Sequence, residues 1–471
     1  MAHSLEALQR RFGAGYPRWL LALLMLGSMA MVLASTSINV ALPAIMQAFS
    51  IGRPLVQWLS TGFLAAMTAG LLLAAPVQAR WGPKRTLQTG LGVFVLVSAL
   101  ALLADHAWQL ILIRIVQGLC AGLVQPLAMV LLFRVYTSGG GRGMALGLYG
   151  LGVMVAPTLG PSIGGYLVDH FGWVAVFWLP LPLCLLVLVG AQWLMPDSRE
   201  ENPPRFDLLA FGLLCLALFA SLGALAEAQR LGWQASSAWG CAVLAVLGTL
   251  GFIARSRLAG DCLVPLQLWR HSAFRHSSWV ALALGLGLYG SIYQIPLFLQ
   301  TVAGYSAGQA GLLLLPTGVL MGIASFAGGW LSDRWATAGL LVAGLLLFAL
   351  SCVALGMTGA GTSFVLLCGW ACVGRMGLGL LLPALSTSSL EQLPAEELAL
   401  GAGAITFVRQ LGGAFGVNLL TGFIEWRYQA GGADVVAEAL AFRQSFWLVG
   451  FLFLLALIPA SRLRSKRTPI H

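Results

Sequence analysis

Three arginines, Arg114, Arg375 and Arg409, stand well inside apolar stretches of this chain. A guanidinium keeps its charge at any working pH, and at the centre of a bilayer it costs at least about 2.5–3.5 kcal/mol. Each must therefore face a bundle interior, a wet cavity or backbone carbonyls. Two roles follow: fastening helices through carbonyls, or giving a central cavity a fixed positive charge, as Arg114 and Arg409 are placed to do. Arg375, flanked by Gly374 and Gly377, fits close packing better. Polar and aromatic residues complete the candidate cavity: Asn39, Gln117, Gln125, Tyr149, Tyr289, Tyr293 and Gln294. Tyr289 and Tyr293 lie one helical turn apart and share a face, suited to stacking on an aromatic compound or to bonding between helices. The chemistry is binding, not bond breaking. No Ser/His/Asp set, metal-ligand cluster or Walker A sequence occurs, so neither an enzyme nor a cofactor is expected.

The sixteen acidic residues fall in loops or within about a turn of a helix end. Coupling to protons needs a group that titrates near working pH, which arginine cannot supply. Asp207, Asp333 and Glu425 are the candidates, and Arg80 and Arg334 stand among the charged residues of the inner loops. A weakly acidic substrate that carries its own proton is the other route. Fixed positive charge without a buried carboxylate repels lipophilic cations and favours neutral or anionic amphiphiles. A further run, Ala156 to Gly165, sets Gly160, Pro161 and Gly164 on one apolar stretch. The proline breaks the helix ladder, and the glycines let a neighbouring backbone approach closely.

Helices must position all of these residues. Of 471 residues, 59% are hydrophobic and 9% charged, and the mean hydropathy is +0.88. Soluble domains carry roughly 25% charged residues, so this is an all-α polytopic membrane protein. Fourteen apolar runs are long enough to span, near 19–41, 56–78, 86–104, 108–133, 143–168, 173–195, 206–226, 237–254, 277–300, 308–330, 337–357, 362–386, 402–424 and 444–460. The first reads as an uncleaved helix. With the N-terminus inside, nineteen of the 26 Lys and Arg fall in inner segments, and the outer loops hold only Arg53, Arg230, Arg427 and Arg443. Both termini are then cytoplasmic. The net charge of +10 is scattered through loops, which suits lipid headgroups and excludes a nucleic-acid partner. The eight cysteines show no metal or redox spacing.

The chain also repeats itself. Pro43 and Pro296 are 253 positions apart, and Trp330-Leu331-Ser332-Asp333-Arg334-Trp335 echoes Pro76-Val77-Gln78-Ala79-Arg80-Trp81. Arg114 and Gly118 answer Arg375 and Gly379; Gly160 and Gly164 answer Gly412 and Gly416. Helices 1–6 thus match helices 9–14. The expected organisation is a six-helix bundle over 1–198, a two-helix insert over 199–262 and a second six-helix bundle over 263–471, with substrate bound between the halves. The insert helices are expected at the periphery.

Several runs carry a resemblance. They are Asn39-Val40-Ala41-Leu42-Pro43, Leu110 to Gly118 around Arg114, the Gly160-Pro161 run, Leu268-Trp269-Arg270 with Phe274, Pro296 to Gln300 followed by Gly304-Tyr305-Ser306, and Arg409 to Gly416. Together they resemble the fourteen-helix drug:proton antiporter family of the major facilitator superfamily, over about residues 19–424. The resemblance implies the major facilitator fold as 6 + 2 + 6 helices. It also implies export of hydrophobic or amphiphilic compounds by proton antiport across a bacterial inner membrane. Relatives in this family sometimes work with a periplasmic adaptor, which would make the outer segment 425–443 a docking loop. Two departures stand out. The family's first-helix carboxylate is missing near Ala34, and Ala75 and Ala79 replace the Gly and Asp of its loop between helices two and three, whereas Gly329, Asp333 and Arg334 persist in the second copy.

Gly285-Leu286-Gly287-Leu288-Tyr289-Gly290 satisfies a dinucleotide pattern but lies in an apolar span without a preceding strand, so packing explains it. A uniporter or solute importer, or a membrane sensor, are the competing functions; the Gly-Pro run and helix count speak against the first two. A sensor would add a soluble domain.

Overall fold

The fold is known from a computed structural model. It describes residues 8, 10–136, 142–196, 206–232, 234–259, 266–332, 337–359, 361–390, 393–394, 397–432 and 434–463. Helices account for nearly all of it. The first long helix, α1, is Tyr16–Phe49. The helical run Trp58–Leu100 is two helices, α2 over 58–81 and α3 over 83–100, because Gly82 holds φ 79° and ψ 161° between them. Only glycine adopts that backbone readily, and Pro83 then fixes the first turn of α3. There follow α4 (Ala107–Val135), α5 (Arg142–Phe171), α6 (Leu181–Leu194), α7 (Leu208–Leu231) and α8 (Ser236–Ala259). The remainder are α9 (Ser272–Thr301), α10 (Ala307–Ser332), α11 (Thr337–Leu355), α12 (Phe364–Leu390), α13 (Leu398–Ala430) and α14 (Val435–Leu455).

Twelve of the described segments are long and apolar enough to cross a membrane. One of these, Arg53–Leu103, runs for 51 residues and contains both α2 and α3. The other long helix, α13, carries Arg409, Gln410 and Asn418 along its length. The protein is an all-α polytopic membrane protein.

Two packing relations recur. In the first half α5 sets Gly160 and Gly164 against Thr36 and Ser37 of α1; in the second α13 sets Gly412 and Gly416 against Leu282 and Leu286 of α9. Likewise Gly118 of α4 meets the carbonyl of Phe63 in α2, and Gly379 of α12 meets that of Met321 in α10. Sequence repeat and packing repeat coincide because each glycine marks a backbone-to-backbone crossing that any larger residue would spread. The central helices α1 and α9 are the most enclosed, and α7 and α8 the most exposed.

One expectation needs correction. The outer segment 425–443 is not a loop: α13 continues to Ala430 and α14 begins at Val435, capped by Asp434, whose carboxylate accepts from the Ala437 amide at 2.7 Å. Ala437, Leu440 and Ala441 belong to the first turns of α14. The insert helices also differ from each other. Whereas α8 packs chiefly on α7, α7 leans on both α2 and α13. It covers the seam between the halves.

Candidate functional site

The halves meet along α5 and α10. The Gly165 backbone lies so close to Ala307 that an added Cβ would sit 2.2 Å from its carbonyl oxygen, and one on Gly311 would sit 2.2 Å from that of Pro161. Ser162 Oγ donates to the Gly311 carbonyl at 2.7 Å. Among the small residues of the run, then, Gly165 faces the other half, while Gly160 and Gly164 face α1 of their own half. The proline frees the backbone for this crossing: as a residue without an amide hydrogen, Pro161 leaves a carbonyl unpaired one turn back.

Past this crossing, the end of α5 holds the start of α10. Asp169 accepts from Ser306 Oγ and from the Gly308 amide, both at 2.8 Å. Ser306 is itself the reciprocal cap of α10: its amide donates to Gln309 Oε1 and its hydroxyl accepts from the Gln309 amide. An acidic side chain from one half thus completes a helix N-terminus of the other, where both amides and dipole favour negative charge. The Gly304-Tyr305-Ser306 run is explained by this turn, with Gly304 at φ 74°.

A second latch lies on the same face. Arg53, placed by sequence in an outer loop, is 8% exposed. Its guanidinium reaches Glu425 of α13 at 3.5 Å and also pairs with Glu438 of α14, above the Tyr428 ring. Beside it Gln57 donates to Gln229 of α7 at 2.8 Å, and Gln229 donates to the side chain and carbonyl of Asn418 in α13. Gln300 of α9 donates to the Val40 carbonyl of α1 at 3.2 Å. Near the middle of the bundle Thr68 of α2 donates to Gln410 of α13 at 3.3 Å. All these hydrogen bonds between the halves lie at the end that the arginine count assigns to the outside, or near mid-depth. That face is shut.

The polar residues of the first half form a ladder inside it. Arg114, 2% exposed, donates from Nε to the Leu59 carbonyl and from Nη1 to the Ala34 carbonyl and Gln117 Oε1, at 2.9–3.0 Å, with its guanidinium over the Phe63 ring. Gln117 passes its amide to Ser98, Asn39 accepts from Ser60, and Tyr149 bonds Ser28. These groups tie α1, α2, α3, α4 and α5 together. Burial and local oxygens direct the Arg114 charge into the bundle rather than an open cavity.

At the seam the arrangement is different. Arg409 is half-buried, and its Nε, enclosed, has no hydrogen-bond partner. Tyr289 packs over Gly413 one turn further along α13, Tyr293 is fully enclosed, and Gln294 is buried with its Nε2 unpartnered. The sequence set is therefore divided: Asn39, Arg114, Gln117 and Tyr149 in one bundle, Tyr289, Tyr293, Gln294 and Arg409 on α9 and α13. Behind Thr68 and Gln410 lies a mostly apolar cavity of about 190 Å3 between α2, α7, α8 and α13, touched by Ser221, Thr249 and Phe407.

Of the charged candidates, Asp207 caps α7 through the Ala210 amide and pairs with Arg255 of α8 at 2.6 Å. The Ala210 amide first, then Arg255, hold its carboxyl below the usual carboxylate range. A carboxyl lowered in the folded state stabilises above its ordinary range, and that contribution disappears as pH falls through the lowered value. Unfolding midpoints of the wild type and Asp207→Asn should accordingly differ at neutral pH and converge in strong acid. Such a group stays ionised near pH 7, which fits pinning α7 to α8 better than proton exchange. Arg80 is exposed at the end of α2. Asp333 and Arg334 lie outside the described residues.

Sequence reasoning missed Arg53, Asp169, Gln229, Asn418 and Glu438. Arg53 had one signal, as one of few outer cations; the other four acquire partners only across long sequence separations.

Comparison with known proteins places these features. The Major Facilitator Superfamily is matched over residues 24–417. The tetracenomycin C resistance and export protein of Streptomyces glaucescens is 30% identical over 395 residues, covering 84% of this chain and 73% of that protein. The multidrug transporter protein MdtP of Bacillus subtilis is 27% identical over 393 residues, covering 82% and 72%. In fold, the chain is similar to the crystal structure of a bacterial homolog of the human lysosomal transporter Spinster, in an inward-facing and occupied conformation. The TM-score is 0.65 at 18% identity, over 97% of this chain and all of that one.

Proposed function

Since this chain belongs to the Major Facilitator Superfamily, we propose that it exports hydrophobic or amphiphilic compounds from a bacterial cell in exchange for protons. The broader part of that reading, non-enzymatic secondary transport of small hydrophobic or amphiphilic compounds across a membrane, draws on the relatives named for export and multidrug transport. The observation that carries it is the seam: α5 and α10 in backbone contact at Gly165 and Gly311, with two latches beyond them on one face, the Asp169 cap of α10 and the Arg53–Glu425 ion pair. Alternating access requires such a closure to form and release as the halves rock about a midplane site. We place both termini in the cytoplasm, so the latched face is the outer one and this state opens inward. The two six-helix bundles, divided near 198 and 262, are the rocking bodies, and α7 covers their seam. Tyr289, Tyr293 and Arg409 are the side chains we assign to the substrate. Glu425, whose Arg53 partner comes from the opposite half, and Asp333 are those we assign to coupling and gating.

An adaptor would need an outer docking segment, and among the described residues between α13 and α14 only Gly431, Gly432 and Asp434 lie outside helices. The proposal is accordingly export across a single membrane. The test is uptake into inverted vesicles with and without an imposed pH gradient, across cationic, neutral and anionic drugs. Export predicts accumulation that collapses with the gradient; accumulation unaffected by it removes the proton coupling, and none at all removes export.

A further inference from the structure

Two arginines occupy equivalent places in the repeat, Arg114 on α4 and Arg375 on α12, four residues before the crossing glycines Gly118 and Gly379. Their surroundings differ. Arg114 donates from Nε and Nη1 to two carbonyls and the Gln117 oxygen and lies over the Phe63 ring, which leaves only its Nη2 without a partner. Where Gln117 stands in the first half, the second has Leu378, which offers no acceptor. Arg375 is 4% exposed, and among the described residues no carboxylate pairs with it and no oxygen accepts from it. In place of partners there is a cavity of about 20 Å3 within the C-terminal bundle, bounded by Arg375, Gln294, Ser291, Ser351, Phe348 and Phe446.

We propose that this cavity is a site for a small monovalent anion, with chloride as its simplest occupant, held by Arg375 and Gln294. Gln294 is 1% exposed, and its Nε2 lacks an acceptor. Ser351 and Ser291 already donate their hydroxyl protons, to the Trp370 and Gly287 carbonyls, so the donors left for a guest are the guanidinium and the amide. A buried cation without a counter-charge and a buried donor without an acceptor are each unfavourable, and one anion between them relieves both. The volume admits one guest of roughly water size, which excludes an amphiphilic substrate. A water could take the same donors but would leave the charge uncompensated. The anion is therefore a resident counter-ion that sets the packing of α9, α11, α12 and α14, independent of the export reading.

Binding to the folded state alone raises apparent stability with ligand concentration. The full-length protein in detergent should unfold at a higher temperature in sodium chloride or bromide than in sodium gluconate at the same ionic strength, by several degrees. Arg375→Met should abolish the difference, and Gln294→Leu should move it to higher halide concentration. Crystals soaked in bromide should show an anomalous peak between Arg375 and Gln294, a readout that does not need either variant to fold. Equal midpoints in the three salts, a halide effect that persists in Arg375→Met, or no peak at that position would each overturn the site.

Discussion

Gly165→Ala should reduce transport by about tenfold or more while leaving membrane insertion and thermal stability close to wild type. The added Cβ would lie 2.2 Å from the Ala307 carbonyl and 3.0 Å from the Gly308 Cα, and both are backbone, so no side-chain rotation relieves the overlap. Each half remains intact; only their contact is pushed apart. An overpacking strain of about 1–3 kcal/mol confined to the closed outer seam shifts the open–closed balance by roughly 5- to 150-fold. The transporter would then dwell open to the outside, and an impermeant maleimide should label Thr301→Cys faster in the Gly165→Ala background. Gly164→Ala makes a useful comparison, because its Cβ would meet Ser37 inside the same half, at 3.2 Å from Cβ and 3.4 Å from the carbonyl oxygen. It should keep transport within about twofold. Similar losses from both would mean that the run serves packing of α5 on α1, and that the crossing with α10 is incidental.

The difference between those two glycines shows what a sequence can hold. Small residues at a four-residue interval declare that some backbone comes close, but the partner is fixed by helix rotation and by Pro161, neither of which the spacing encodes. For the same reason the bundle architecture was legible. Apolar runs of sufficient length, the scarcity of outer cations, and paired Arg and Gly positions on α4 and α12 each constrain one-dimensional order, and a repeated fold follows from repeated order. Helix ends were less so. Glu425, Arg427 and Arg443 made the segment between α13 and α14 look like solvent-exposed loop, whereas Glu425 and Glu438 lie in helices and pair with Arg53, 372 and 385 residues away in sequence. Arg114 and Arg409 looked alike in sequence because both are lone charges in apolar runs. Only the placement of Ala34 and Leu59 carbonyls separates them.

On the proposed export reading, that separation decides which cation a substrate meets. Arg114 spends Nε and Nη1 on protein oxygens, so its loss should damage the first bundle: Arg114→Ala should lower expression and unfolding temperature, and Lys should rescue poorly because an ammonium lacks the planar fork that spans two carbonyls and an amide. Arg409 is half-buried where α13 packs on α9, next to Gln410, which reaches α2, with Nε unpartnered beside Tyr289 and no carboxylate paired to it among the described residues. Its field falls on whatever occupies the space between the halves. Desolvated positive charge repels a quaternary ammonium and attracts an anionic or polarisable neutral group, and the low-dielectric walls of the seam strengthen both effects. Wild-type vesicles should therefore concentrate neutral or anionic amphiphiles in preference to monovalent and divalent quaternary cations. Arg409→Gln keeps a hydrogen-bonding side chain of similar reach without the charge. It should cut transport of anionic compounds by about tenfold, change neutral ones little, and raise transport of cations. The decisive measurement is the ratio of anionic to cationic accumulation in the same vesicles, since that ratio cancels differences in expression. If it is unchanged in Arg409→Gln, or if the wild type already favours divalent cations, the charge at the seam does not select the substrate, and a carboxylate such as Glu425 must reach the pathway in another state.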